Sequence, residues 1–191
     1  MATNSLQELY VEQLQDLYSA EDQIIKALPK MIEAAQSDEL RNALKEHLEV
    51  TRKQASRIET ICKELGEKAQ KEKCKGMEGV LKEGSDLVKE VSEEIRDAAI
   101  IAAAQRVEHY EMAGYGTARM YATLLGFDEA ASMLEQTLEE EKEADQTLSD
   151  LAGELNVEAL EAGDNTTEEV EQGSKRGTRA KKSAARGKRA A

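Results

Sequence analysis

The 191-residue sequence has no tryptophan, a single proline and only 3% aromatic residues. So few aromatics argue against most β-sandwiches, and one proline argues against a loop-rich fold. Long apolar runs are also missing. The longest, residues 98–104, is seven residues, far short of a bilayer span. The N-terminal MATNSLQELY carries neither a basic patch nor a hydrophobic segment, so a secretory signal is not expected. Cysteine occurs only at Cys62 and Cys74. A disulfide between them stays open, but two cysteines in a helical chain of this size point to reduced thiols and a cytoplasmic location.

What remains is dominated by Ala, Glu, Lys, Leu and Gln, all good helix formers, so the expected class is all-α. The net charge of −13 is unevenly spread. Residues 174–191 hold eight Lys/Arg and no acid, which leaves 18 basic against 39 acidic residues, or −21, on the first 173. An acidic body and a basic tail need separate explanations.

Apolar residues at helical spacing mark four main helices. The first runs from about Ser5 to Ala35, opens on the capping-box pattern Ser5 with Glu8, and should be kinked by Pro29. The second runs from about Asp38 to Leu65, with Gly66 as its stop. The third starts near an N-cap candidate, Asp97, and ends at Gly126; the fourth runs from about Asp128 to about Leu155. Short joints make the first two and the last two antiparallel hairpins. Between the hairpins, residues 66–96 hold a loop-like stretch and then MEGVLKEGSDLVKEVSEEI, an extra amphipathic helix interrupted by Gly84. Two helical hairpins joined by one long crossover is the ferritin-like four-helix bundle. The domain is expected over 1–160. From 161 the periodicity stops, and 161–191 reads as a disordered tail, basic from 174.

Ionisable side chains interrupt the apolar stripes. Glu21 falls inward on the first helix, His47 on the second, Glu108 and Glu111 on the third, Glu141 and Asp145 on the fourth. Burying one bare carboxylate costs several kcal/mol, and five together are prohibitive without positive charge. No Lys or Arg lies on these stripes. Bound cations would supply the charge, and carboxylates with an imidazole suit iron or manganese, with two ions neutralising much of it. Counted from the turn at Gly126, Glu111 and Glu141 are each about 15 residues away, and Glu108 and Asp145 about 18 and 19, so they form two adjacent layers. Glu21 is about 15 residues before its own turn, whereas His47 is only about 11 after it, roughly 7 Å out of layer. Level with Glu21 on the second helix are Thr51 and Gln54, weak ligands.

Other readings stay open. His47 also reads as a satisfied core histidine, and the acids as a structural core with some carboxyls protonated or hydrogen-bonded. Glu139, Glu140 and His109 read as solvated, and Tyr18 and Tyr115 as packing residues.

The stretches DAAIIAAAQRVEHYEMAGYGTAR, LEQTLEEEKEAD, LYSAEDQIIKALPKM, EHLEVT and KCKGMEG together resemble the YciE/YciF family of ferritin-like stress proteins over about residues 5–155. The resemblance implies a rubrerythrin-like bundle, a bacterial cytoplasmic protein and a homodimer. It matches Glu21 to the first-helix glutamate of di-iron sites, Glu108 and Glu111 to a Glu-x-x-Glu on the third helix, and Glu141 to the fourth-helix glutamate. Two positions depart from the pattern. Ala144 stands where Glu-x-x-His would place histidine, with Asp145 as its substitute, and Val50 stands where the family favours an acid after Glu49. In KCKGMEG, Cys74 and Glu78 line the open end of the bundle, or Met77 and Val80 dock the crossover.

The expected function is therefore an iron or manganese oxidoreductase, a ferroxidase or its peroxide-consuming variant. The alternative is a non-catalytic stress-protection protein with a remnant site. The tail, free of aromatics, reads either as a sequence-independent DNA-binding segment or as a solubilising tail folded back on the acidic body.

Overall fold

The computed structural model describes the backbone of residues 3–70 and 72–187, with side chains through residue 161. It is all-helical: α1 (Leu6–Ala34), α2 (Asp38–Glu64), α3 (Lys75–Glu90), a short 3-10 turn (Glu93–Ile95), α4 (Arg96–Leu125) and α5 (Asp128–Gly187). No strand occurs among the described residues.

The ends are set by local chemistry. Ser5 Oγ accepts from the Glu8 amide at 3.1 Å, and Ser37 Oγ from the Leu40 amide at 3.2 Å, each satisfying an orphan donor of a first turn. Gly66 (φ 74°) and Gly126 (φ 77°) take the left-handed conformation that ends α2 and α4. At the second of these, the Phe127 amide reaches back to the Ala122 carbonyl at 2.9 Å, which satisfies a last-turn acceptor. Pro29 does not interrupt α1, which runs unbroken through it. Gly84 does not interrupt α3 either. It is a contact point, since a Cβ there would lie 2.9 Å from the Ala103 Cβ of α4.

Asp97 is not the N-cap of α4, a position that Ile95 occupies. Its carboxylate instead accepts from the amides of Gln36 and Ser37, at 2.8 and 2.7 Å, in the α1–α2 turn. These bonds pin the start of α4 to that turn, so α4 runs parallel to α2 and the crossover, residues 65–95, must return along the bundle. Met77 is fully buried and Val80 packs against the core, so these two dock the crossover. Cys74 caps α3 and is buried, while Glu78 is exposed and pairs with Lys73. Both cysteines are free thiols.

The apolar core is in two parts. One, toward the α1–α2 turn, holds Ile24, Leu28, Leu40, Leu44, Met77, Ile100 and Leu148. The other, toward the α4–α5 turn, holds Tyr10, Leu14, Leu17, Ile58, Ile61, Tyr115 and Leu134. Each buried Leu or Ile stabilises by about 1.5–3 kcal/mol. Between the two parts lies a polar layer of Glu21, Thr51, Gln54, Glu108, Glu111 and Glu141, all buried. The α5 helix passes its expected end near Leu155, and in the part of the extension whose side chains are described Val157 and Leu160 are exposed. Of the tail expected to be disordered, residues 161–191, only residue 161 has a described side chain, and the basic segment from 174 lies beyond it.

Candidate metal centre

The polar layer is built by four helices. α1 brings Glu21, α2 brings His47, α4 brings Glu108 and Glu111, and α5 brings Glu141. One ligating atom from each of His47, Glu108, Glu111 and Glu141 can be chosen such that all four lie within 4.8 Å of one another. Glu21 is fully buried beside them and accepts a hydrogen bond from the Tyr115 hydroxyl.

His47 joins the group although counting along the chain put it about 7 Å out of layer. That count measured α4 and α5 from the far turn. Measured from the shared end, where Asp97 holds the α1–α2 turn, His47 and Glu108 lie about 10 and 11 residues in. They therefore form one layer, and His47 Nε2 sits 3.4 Å from Glu108 Oε1. Glu21 and Glu111 form the next layer down. Asp145 stands apart from the four. One turn beyond Glu141, it is half-buried, accepts from Gln105 Nε2 at 3.2 Å and lies 3.5 Å from His109 Nε2.

The electrostatics follow from burial. Burial, reinforced by the Glu141 charge, pushes the pKa values of Glu21 and Glu108 well above the usual carboxylate range. Burial and the charges of Glu21 and Glu141 do the same to Glu111. Glu141 is pushed up to about 7, by burial first. Burial lowers His47 to about 4, so its imidazole is neutral at physiological pH. Tyr115 is held well above its ordinary value by burial and by the charges of Glu21 and Glu111.

These groups fit a bound cation. Glu21 Oε2, His47 Nε2, Glu108 Oε2, Glu111 Oε1 and both carboxyl oxygens of Glu141 are buried with no hydrogen-bond partner. Buried polar atoms are normally partnered, and six orphans in one layer are costly unless an ion satisfies them. The donor set of carboxylate oxygens and one imidazole is hard to borderline, which suits iron or manganese.

Three features escaped the sequence reading. Tyr115 packs, but its hydroxyl also holds Glu21 in place. Arg57 reaches the layer from α2 and makes a bidentate pair with Glu140, at 2.5 and 2.8 Å. Its charge lowers the pKa values of Glu21 and Glu141, against the larger effect of burial. Glu140 is therefore half-buried and paired rather than solvated; burial raises its pKa, but the hydrogen bonds from Arg57, Gln136 and Gln54 together with the Arg57 charge outweigh that and leave it lowered. Arg57 was overlooked because its long stem lets a side chain start off the inward stripe and still deliver its charge to the interior. Gln54, fully buried, donates to Glu140 at 3.2 Å. Tyr18 donates to Glu59 at 2.6 Å on the surface, and His109 is exposed.

A cavity of about 210 Å³ between α2 and α5 opens onto His47 and Glu108. Val50 and Ala144, the two positions that depart from the family pattern, line it.

Helical hairpins joined by a crossover, with an acid-and-imidazole layer across the interior, define a ferritin-like bundle. The chain belongs to the DUF892 family, described as a domain of unknown function, which matches residues 5–161. It is a homologue of Protein YciF of Escherichia coli (strain K12): the two are 42% identical over 154 residues, 80% of this chain and 93% of YciF. Among solved structures, it is similar to the E. coli stress protein YciF (TM-score 0.76, 43% identity, 80% of this chain and 98% of that one). It is also similar to YcfI from Rhodopseudomonas palustris (TM-score 0.74, 42% identity, 76% of this chain and 94% of that one). A Xanthomonas campestris protein at 24% identity shares the fold (TM-score 0.70, 84% of this chain and 99% of that one). No helix among the described residues is long and apolar enough to cross a membrane.

Proposed function

We propose that the polar layer is a carboxylate–imidazole metal centre that takes two iron or manganese ions, and that the protein is a ferroxidase-type or peroxide-consuming oxidoreductase of the stress response. The observation that carries this reading is the set of six buried, unpartnered acid and imidazole atoms drawn from four helices. Bound iron or manganese would supply redox chemistry, cycling between the +2 and +3 states. The protein's own part is to hold the ligands and exclude water. His47 offers a neutral nitrogen, and Glu108, Glu111 and Glu141 offer oxygens around it. Glu21, fixed by Tyr115, would hold a second ion together with Glu111. Asp145, outside the group, would have to swing inward to ligate. Because burial raises the carboxyl pKa values, cation binding must release protons from this layer, and affinity should rise with pH through about 7.

Stopped-flow oxidation of Fe(II) by dioxygen and by peroxide tests the activity. Turnover that disappears in Glu21→Ala plus Glu141→Ala supports it; a wild-type rate no faster than free Fe(II) contradicts it.

A second reading is a non-catalytic stress protein with a remnant site. It is favoured by Val50 and Ala144, apolar residues where the family pattern implies ligands. The same double variant decides, since a remnant site leaves stress protection intact. A cytoplasmic homodimer, with residues 174–191 gripping DNA phosphates, completes the proposal. Deleting 174–191 should abolish DNA retardation at low salt.

A further inference from the structure

The 210 Å³ cavity between α2 and α5 leads from the surface to His47 and Glu108, and its mouth carries the exposed carboxylates Glu46 and Glu143. We propose that this cavity is the port by which a divalent cation enters the bundle, collected by Glu46 and Glu143 and received by His47 and Glu108. The proposal rests on the metal reading above.

Size, charge and burial agree. At about 30 Å³ per water, the cavity has room for roughly seven waters, enough for a divalent ion with its six-fold hydration shell. No lysine or arginine lines it, and among the described residues neither Glu46 nor Glu143 is in an ion pair, so the mouth has no cation of its own to repel an arriving one. The inner end holds two buried, unpartnered atoms, Glu108 Oε2 and His47 Nε2, which can replace water on the ion. Val50 and Ala144 keep the passage open because they are short and apolar. The larger groove along α1 and α3, about 790 Å³, is the contrasting case. It carries Lys26, Lys30, Lys73, Lys82 and Lys89 and touches none of the four grouped residues.

The test mixes Co(II) with the metal-free, full-length protein in a stopped-flow instrument, follows the visible absorbance of bound cobalt, and chases with a chelator. Equilibrium dialysis gives the affinity separately. Glu46→Gln plus Glu143→Gln should slow association about tenfold at low ionic strength, a difference that shrinks in about 0.5 M salt. Glu49→Gln plus Glu139→Gln, which removes the same charge away from the cavity, should leave the rate unchanged. Ala144→Leu should slow association and dissociation together, with affinity kept within about twofold, the signature of a blocked passage rather than a damaged site. Wild-type association in the surface double variant overturns the port, whether or not Ala144→Leu folds. Absence of any Co(II) at equilibrium overturns the metal reading and the port with it; normal affinity with unaltered rates in the variants overturns the port alone.

Discussion

Replacing Glu141 by glutamine should make the metal-free protein more stable at pH 8 while removing its capacity to hold metal. In the fold Glu141 is pushed from 4.5 up to about 7, chiefly by burial. A carboxyl whose folded pKa is raised stabilises the fold only while protonated. That contribution is complete below 4.5 and is lost as the pH rises through about 7. The shift corresponds to about 3 kcal/mol by pH 8, at about 1.4 kcal/mol per unit. Glutamine keeps the shape and a donor but has no charge to lose. Glu141→Gln should therefore equal wild type near pH 4.5 and exceed it by about 3 kcal/mol at pH 8, or roughly 6–12 °C in Tm for a domain of this size. Chemical denaturation in excess chelator, followed by circular dichroism, reads the difference at each pH. Comparing variant with wild type also cancels His47, whose depressed pKa of about 4 acts in the opposite sense, its stability being lost as pH falls from 6.5. An equal destabilisation at both pH values would refute the reasoning, because it would mean that Glu141 is charged and satisfied in the absence of metal.

Three further perturbations probe the frame around the centre. Asp97→Ala removes two charge-assisted bonds to the α1–α2 turn and should cost about 2–3 kcal/mol in thermal or chemical denaturation, with Asp97→Asn costing less. Gly84→Val presses a branched side chain onto Ala103 and should destabilise by about 1–3 kcal/mol, with amide exchange rising first in α3. Tyr115→Phe leaves Glu21 with both oxygens unpartnered; the metal-free protein should lose about 1–3 kcal/mol, and added metal should restore more stability to the variant than to wild type.

The helices were legible because their apolar spacing is regular, and the same regularity exposed Glu21, Glu108, Glu111 and Glu141. Each interrupts a stripe of Leu, Ile, Val or Ala, and each is buried. The family resemblance is likewise borne out by the identity to YciF. Relative height between helices was not legible. Periodicity gives the face of a residue, whereas its level depends on how hairpins dock, and here one bond network from Asp97 to the α1–α2 turn sets it. That is why His47 looked out of layer and is not. Side-chain reach was the other blind spot. Arg57, off the inward stripes, and Tyr115, read as a packing residue, reach the layer because a long stem or a ring carries the polar atom some distance from its Cα. The extension of α5 past Leu155 lies beyond any apolar stripe, so periodicity carried no signal for it.

The most direct test of the central claim is anomalous diffraction from crystals of the full-length protein soaked in Fe(II) or Mn(II). The account predicts anomalous density enclosed by His47, Glu108, Glu111 and Glu141, with a second peak toward Glu21. Carboxyls packed together around an interior without anomalous density, in crystals soaked at saturating metal, would contradict it.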